Sequence, residues 1–128
     1  MARPFLRCSV FAAVLVTLLA AGAGAQEGGI AFVSGIEDLP LMPGLEEVEE
    51  TGMVFDTPAG RIVEAFARGS VGRHQVVRFY AATLPQLGWS PAGEARFRRE
   101  GETLELHFPA TPAVAGQLTV RFALAPAR

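Results

Sequence analysis

The sequence predicts an α+β fold: an antiparallel sheet of about five strands, in the order strand, strand, helix, strand, strand, strand, with one amphipathic helix on one face. Three observations carry this. Val71 to Leu87 repeats its apolar residues at helical spacing. Glu94 to Phe108 and Gln117 to Leu124 alternate apolar and polar residues, the period of a strand with one face in water. Short turns join consecutive strands, as in hairpins.

The first element is not part of that fold. Arg3 and Arg7 form a positive head, and Cys8 to Ala20 is an apolar run too short to span a bilayer comfortably. Ala21 to Ala25 are all small, and Ala23 and Ala25 fit the pattern read by signal peptidase. Residues 1–25 are therefore expected to be a cleaved signal peptide, with no membrane span left after cleavage. The one cysteine, Cys8, lies before the site, so a lipoprotein cut there is excluded. Removing 25 of the 128 residues leaves 103, enough for one domain with a modest core. That mature chain has no cysteine, which excludes disulfides, thiol catalysis and thiolate metal sites.

Residues 26–52 are rich in Gly, Pro and Glu. Leu39 to Leu45 (LPLMPGL) holds two prolines and cannot be a helix interior or a central strand. It is expected as an extended lead-in lying on a small α+β domain at 53–128. That domain opens with Met53 to Thr57 and Arg61 to Arg68 as a hairpin around Thr57-Pro58-Ala59-Gly60. Its facing is ambiguous, because Val54/Ile62/Phe66 and Met53/Phe55/Val63/Ala65 are both apolar enough to be buried.

Ser70 reads as the helix N-cap. Val76/Val77, Tyr80, Leu84 and Leu87 form one stripe, with Arg73, Gln75 and Arg78 off it. Pro85 weakens the last turn, and Gly88 stops the helix. Trp89 is expected to fold back beneath the helix end. In the next hairpin a two-residue turn at Glu100-Gly101 pairs Arg99 with Glu102. Counting back, Arg96 meets Glu105, Phe97 meets Leu104, Ala95 meets Leu106 and Glu94 meets His107. A slip of one residue would spoil every pair at once. In the final strand Leu118, Val120, Phe122 and Leu124 point inward, and Thr119 and Arg121 outward. Pro109 to Gly116 is a loop.

Charge is unevenly placed. Gln26 to Gly60 holds eight acids and no basic residue, whereas Arg61 to Arg128 holds nine arginines and five acids. The mature chain is net negative, a poor match for nucleic acid. All eleven basic residues are arginine, and Ala, Gly and Pro are abundant. That bias suggests a GC-rich bacterial genome, which makes the expected destination the periplasm or the medium.

No catalytic constellation emerges. Ser70 and His74 lack a third group and an oxyanion site, and read as a cap and an exposed histidine. His107 with Glu94 and Glu105 hints at a metal, but Arg96 on the same face spoils the field for a cation. An ion pair across strands fits better. Gly69-Ser70-Val71-Gly72 lacks the lysine of a phosphate loop. Phe66, Phe79, Tyr80, Trp89, Phe97, Phe108 and Phe122 are the number of large residues that a core of this size needs. No cofactor is implied.

Phe79-Tyr80-Ala-Ala-Thr-Leu84-Pro85-Gln-Leu87-Gly88-Trp89 resembles a segment of small exported bacterial proteins of uncharacterised function. There a helix carrying Phe-Tyr, Leu-Pro and Gly-Trp leads into a sheet hairpin. Pro40 to Leu45 is similar to the segment that precedes it. The likeness covers about residues 39 to 108. It implies an α+β domain of the envelope and brings no catalytic residues with it.

The expectation is thus a non-catalytic exported protein, an interaction or assembly module that meets another envelope protein. The sheet's polar face carries the candidate contact residues Arg96, Arg98, Glu105, His107 and Arg121, with Glu94, Thr103 and Thr119 alongside. A carrier of a small apolar ligand held between helix and sheet is the alternative, and an enzyme the third reading.

Overall fold

The computed structural model describes residues 29–111 and 114–127. The expected signal peptide, residues 1–25, and its expected cleavage site lie outside these residues. The element order is β1 (Glu46–Glu47), β2 (Met53–Thr57), β3 (Gly60–Gly69), α1 (Arg73–Thr83), β4 (Ser90–Gly93), β5 (Arg96–Arg99), β6 (Glu102–His107) and β7 (Leu118–Pro126). The α+β class is as expected, and every strand pairing is antiparallel. The sheet has seven strands rather than five, in the order β1-β3-β7-β6-β5-β4, with β2 beside β3 on the same edge as β1. The two extra strands are β1 and β4. Neither reads as a strand in sequence: β1 is two glutamates, and β4 is Ser-Pro-Ala-Gly, turn-like composition that only an edge strand tolerates.

The hairpin register stands where alternation places it. Arg96 pairs with Glu105, Phe97 with Leu104, Arg98 with Thr103 and Arg99 with Glu102. Glu100 and Gly101 both take positive φ, 49° and 78°. A two-residue turn that matches the twist of its strands requires this at both positions. The Leu106 N–H donates to the Ala95 carbonyl at 2.9 Å, which extends the register by one step. Glu94 does not reach His107. It sits in the turn between β4 and β5 and pairs instead with Arg73 at 3.2 Å.

The helix is shorter than expected. It starts at Arg73 behind Gly72, with no side-chain cap, so Ser70 is not the N-cap. The reason is β3, which stays in the sheet through Gly69 and leaves 70–72 to carry the chain off it. At the other end Pro85 has no N–H for the helical ladder, and Leu84–Leu87 tighten into a turn of 3-10 helix. Gly88 then closes it in the left-handed region, at φ 90°. Trp89 is buried beneath that end, as expected, with the Arg99 guanidinium 4.5 Å from its ring centre.

The core lies between the sheet's inner face and a cover made of α1 and the lead-in. Val63, Ala65, Ala67, Phe97, Leu104, Leu106, Val120, Phe122 and Leu124 come from the sheet, and Val76, Tyr80 and Leu84 from the helix side. Val33, Ile36, Leu39, Met42 and Leu45 come from the lead-in and are as buried as the rest. Tyr80 packs edge-on against Phe122, ring centres 5.5 Å apart. Neither expected grouping at β2–β3 stands: the ladder sets Val54 beside Val63 and Phe55 beside Ile62, so the inner set is Val63, Ala65 and Ala67, while Phe66 is half-buried on the other side. Leu87 leaves the stripe. The change to 3-10 geometry rotates it outward, and it is 37% exposed against 0% for Leu84.

The lead-in docks through a close backbone approach. Gly69, the last residue of β3, lies against Gly44, and a Cβ at Gly69 would sit 1.9 Å from the Gly44 carbonyl oxygen. No side chain fits there. The bend of the lead-in at Pro43-Gly44 and the end of β3 thus require glycine for contact.

Candidate functional site

The helix and lead-in cover only the inner face of the sheet, so the outer face is the broadest candidate surface among the described residues. Its side chains follow from the ladders. One row runs Met53, Glu64, Ala123, Glu105, Arg96; a second runs Ala125, Thr103, Arg98, and Phe55 pairs with Ile62 on β2 and β3. A third holds Phe66, Arg121 and His107.

All five residues singled out in the sequence lie together on this face. Arg96 Nε reaches Glu105 Oε1 at 2.6 Å, and His107 Nε2 lies 3.0 Å from Glu105 Oε2. Arg121 pairs with Glu64 on the neighbouring strand. Arg98 has no carboxylate partner among the described residues; it faces Thr103 across the ladder. Arg96, Arg98, Thr103, Glu105, Ala123, Ala125 and Pro126 line a shallow hollow of about 300 Å³. Two members of the expected polar set belong elsewhere. Glu94 sits in the β4–β5 turn. Thr119 lies beyond the end of β6, opposite Arg68, and is only 8% exposed, with no hydrogen-bond partner for its hydroxyl among the described residues.

The face is not uniformly polar. Met53, Phe55 and Ile62 are exposed at its β2–β3 end. Sequence reasoning missed them as surface residues because alternation marks apolar residues as inward. Phe55 faces Ile62 directly in the ladder, so the two form one patch.

A second apolar feature lies away from the sheet. Ile30, Phe32, Leu41, Leu45, Phe79 and Leu87 are among the residues that line a groove of about 780 Å³ between lead-in and helix. The expected ligand space lay between helix and sheet. That interface is filled instead by Val76, Tyr80, Leu84 and Phe122, all fully buried.

Among the described residues two ionisable groups are displaced from their ordinary range. Burial raises the Tyr80 phenol well above it, partly offset by the Met42 N–H. A hydrogen bond from Arg61 to Glu102 raises the Arg61 guanidinium. Both groups hold structure together: Tyr80 bonds the lead-in, and Arg61 joins β3 to β6 at 3.0 Å. Among the described residues no group of three or more His, Asp or Glu side chains is arranged to hold a metal ion.

No protein-family model, no curated protein and no solved structure matches this chain. No described helix is long and apolar enough to cross a membrane.

Proposed function

We propose that this is an exported, non-catalytic protein of the bacterial envelope, an interaction or assembly module that meets another envelope protein through the outer face of its sheet. The observation that carries this reading is the makeup of that face. It holds a ladder of ion pairs, an arginine, Arg98, without a carboxylate partner among the described residues, and an apolar patch of Met53, Phe55 and Ile62 that no described residue covers. Arginine beside exposed aromatic and aliphatic side chains is the composition that protein interfaces favour. The signal-peptide pattern at 1–25 and the resemblance around Phe79 to Trp89 support placing it in the envelope.

The test is a pull-down from envelope extract with the mature chain and with its Arg96→Ala/Arg98→Ala/Arg121→Ala variant. Loss of a specific partner, with an unchanged circular dichroism spectrum, is the expected result. Equal recovery by both would remove the arginine rows from the contact.

A carrier of a small apolar ligand is the second reading, moved from the helix–sheet interface to the groove between lead-in and helix. What favours it is a ligand-sized volume with an almost entirely apolar lining, in which Asp38 is the one charged side chain among the described residues. Mass spectrometry of organic extracts from the purified protein tests it. An extract free of lipid or other apolar compounds would count against it.

A further inference from the structure

The two edges of the sheet are built differently. One edge is β4, which carries Pro91 and a register irregularity between Pro91 and Gly93. Proline and bulges are the usual means of blocking an edge against another strand. On the other edge, β1 is two residues long. β2 carries no such block. Met53–Thr57 pairs with β3 in unbroken register, contains neither proline nor lysine, and has no strand on its outer side among the described residues. Its side chains are exposed on both faces: Met53 46%, Val54 59% and Phe55 52%. An open row of backbone donors and acceptors with apolar side chains above and below is a template for one more strand.

Charge selects what pairs there. Glu46, Glu49 and Asp56 are exposed along this edge, and none has an ion-pair partner among the described residues. Arg61, opposite Asp56 in the ladder, has its guanidinium committed to Glu102. No basic residue lies between Gln26 and Gly60. A second copy of the chain would set these acids against themselves. We infer that β2 accepts an extended segment of the partner as an added strand, and that this segment alternates apolar residues with Lys or Arg. The inference rests on the interaction-module reading above, and names its docking edge and the chemistry of the partner.

The experiment titrates the isotope-labelled mature chain with a five-residue peptide alternating lysine and valine, followed by heteronuclear NMR. Control peptides replace lysine by glutamate, or valine by proline. The expected result is amide shifts confined to Met53–Thr57 and their β3 partners, with both controls roughly tenfold weaker or silent. Asp56→Arg weakens the lysine peptide roughly tenfold, and Phe55→Ser does so independently, each with the fold retained by circular dichroism. Shifts centred on Arg96, Arg98 and Arg121, absence of binding, or equal binding of the proline peptide would overturn the inference. So would sedimentation showing that the chain dimerises through β2. A pull-down separates the two levels. A partner recovered equally by wild type and by Asp56→Arg sinks the added strand but keeps the module. An extract yielding no partner to either sinks the module, while the peptide titration still decides the edge.

Discussion

The Tyr80 hydroxyl donates a hydrogen bond to the Pro40 carbonyl oxygen at 2.8 Å. The Tyr80 hydroxyl oxygen in turn accepts from the Met42 N–H at 3.1 Å. One side chain thus satisfies two buried backbone groups of a lead-in whose prolines prevent regular pairing. Tyr80→Phe leaves both without a partner and should cost about 1–3 kcal/mol, read from urea melts of the mature domain. A change within experimental error would mean that the lead-in is held by its apolar contacts alone.

The same group sets a pH limit. The folded-state phenol ionises above its ordinary range because it is buried. Below about pH 10 the phenol is protonated in both states and has no effect on stability. Above that, the unfolded chain releases the proton and the folded chain keeps it, so stability falls as pH rises. Tyr80 is the only tyrosine. Ultraviolet titration of the native chain should therefore show no phenolate until the protein unfolds, and Tyr80→Phe should lose this part of the alkaline destabilisation.

Gly69→Ala should destabilise by roughly 3 kcal/mol or more, because its Cβ would meet the backbone of Gly44 rather than a side chain that can move. Gly72→Ala is the control. A Cβ there meets nothing within 4 Å, and the change should cost about 1 kcal/mol at most. Similar denaturation midpoints for the two variants would contradict the close contact.

Leu84 and Leu87 share a stripe on an ideal helix but not in this fold. Leu84→Ala should cost about 2–5 kcal/mol, and Leu87→Ala less than about 1 kcal/mol. Equal costs in urea melts would restore the regular helix through Leu87.

The Arg96–Glu105 pair is half in water, at 52% and 29% side-chain exposure. A double-mutant cycle should give a coupling of roughly 0.2–1 kcal/mol, reduced further by salt. A larger value would mark the pair as part of the domain's stability rather than of its surface.

Cleavage should leave a chain that begins at Gln26, since Ala23-Gly24-Ala25 follows a short apolar run. Sequencing the N-terminus of the mature chain decides it. A chain still carrying Met1 would make the segment an anchor.

Sequence alone determined the class of this fold, the β5–β6 register, the cap at Gly88 and the inward turn of Trp89. Each is a local pattern: alternation, a two-residue turn, a residue that takes positive φ beside a large apolar one. Sequence also placed Arg96, Arg98, Glu105, His107 and Arg121 on one face, because strand period and register determine facing. What only the tertiary structure decided depends on neighbours distant in the chain. Glu46–Glu47 and Ser90–Gly93 are strands because β3 and β5 offer them an edge, not through their own propensity. Thr119 is buried although alternation turns it to the polar face with Arg121, while Met53, Val54 and Phe55 are exposed because β2 lies on the rim. Alternation reports which residues share a face. Burial depends on what covers that face and on how far a strand lies from the edge, and both are settled only when the whole chain has packed.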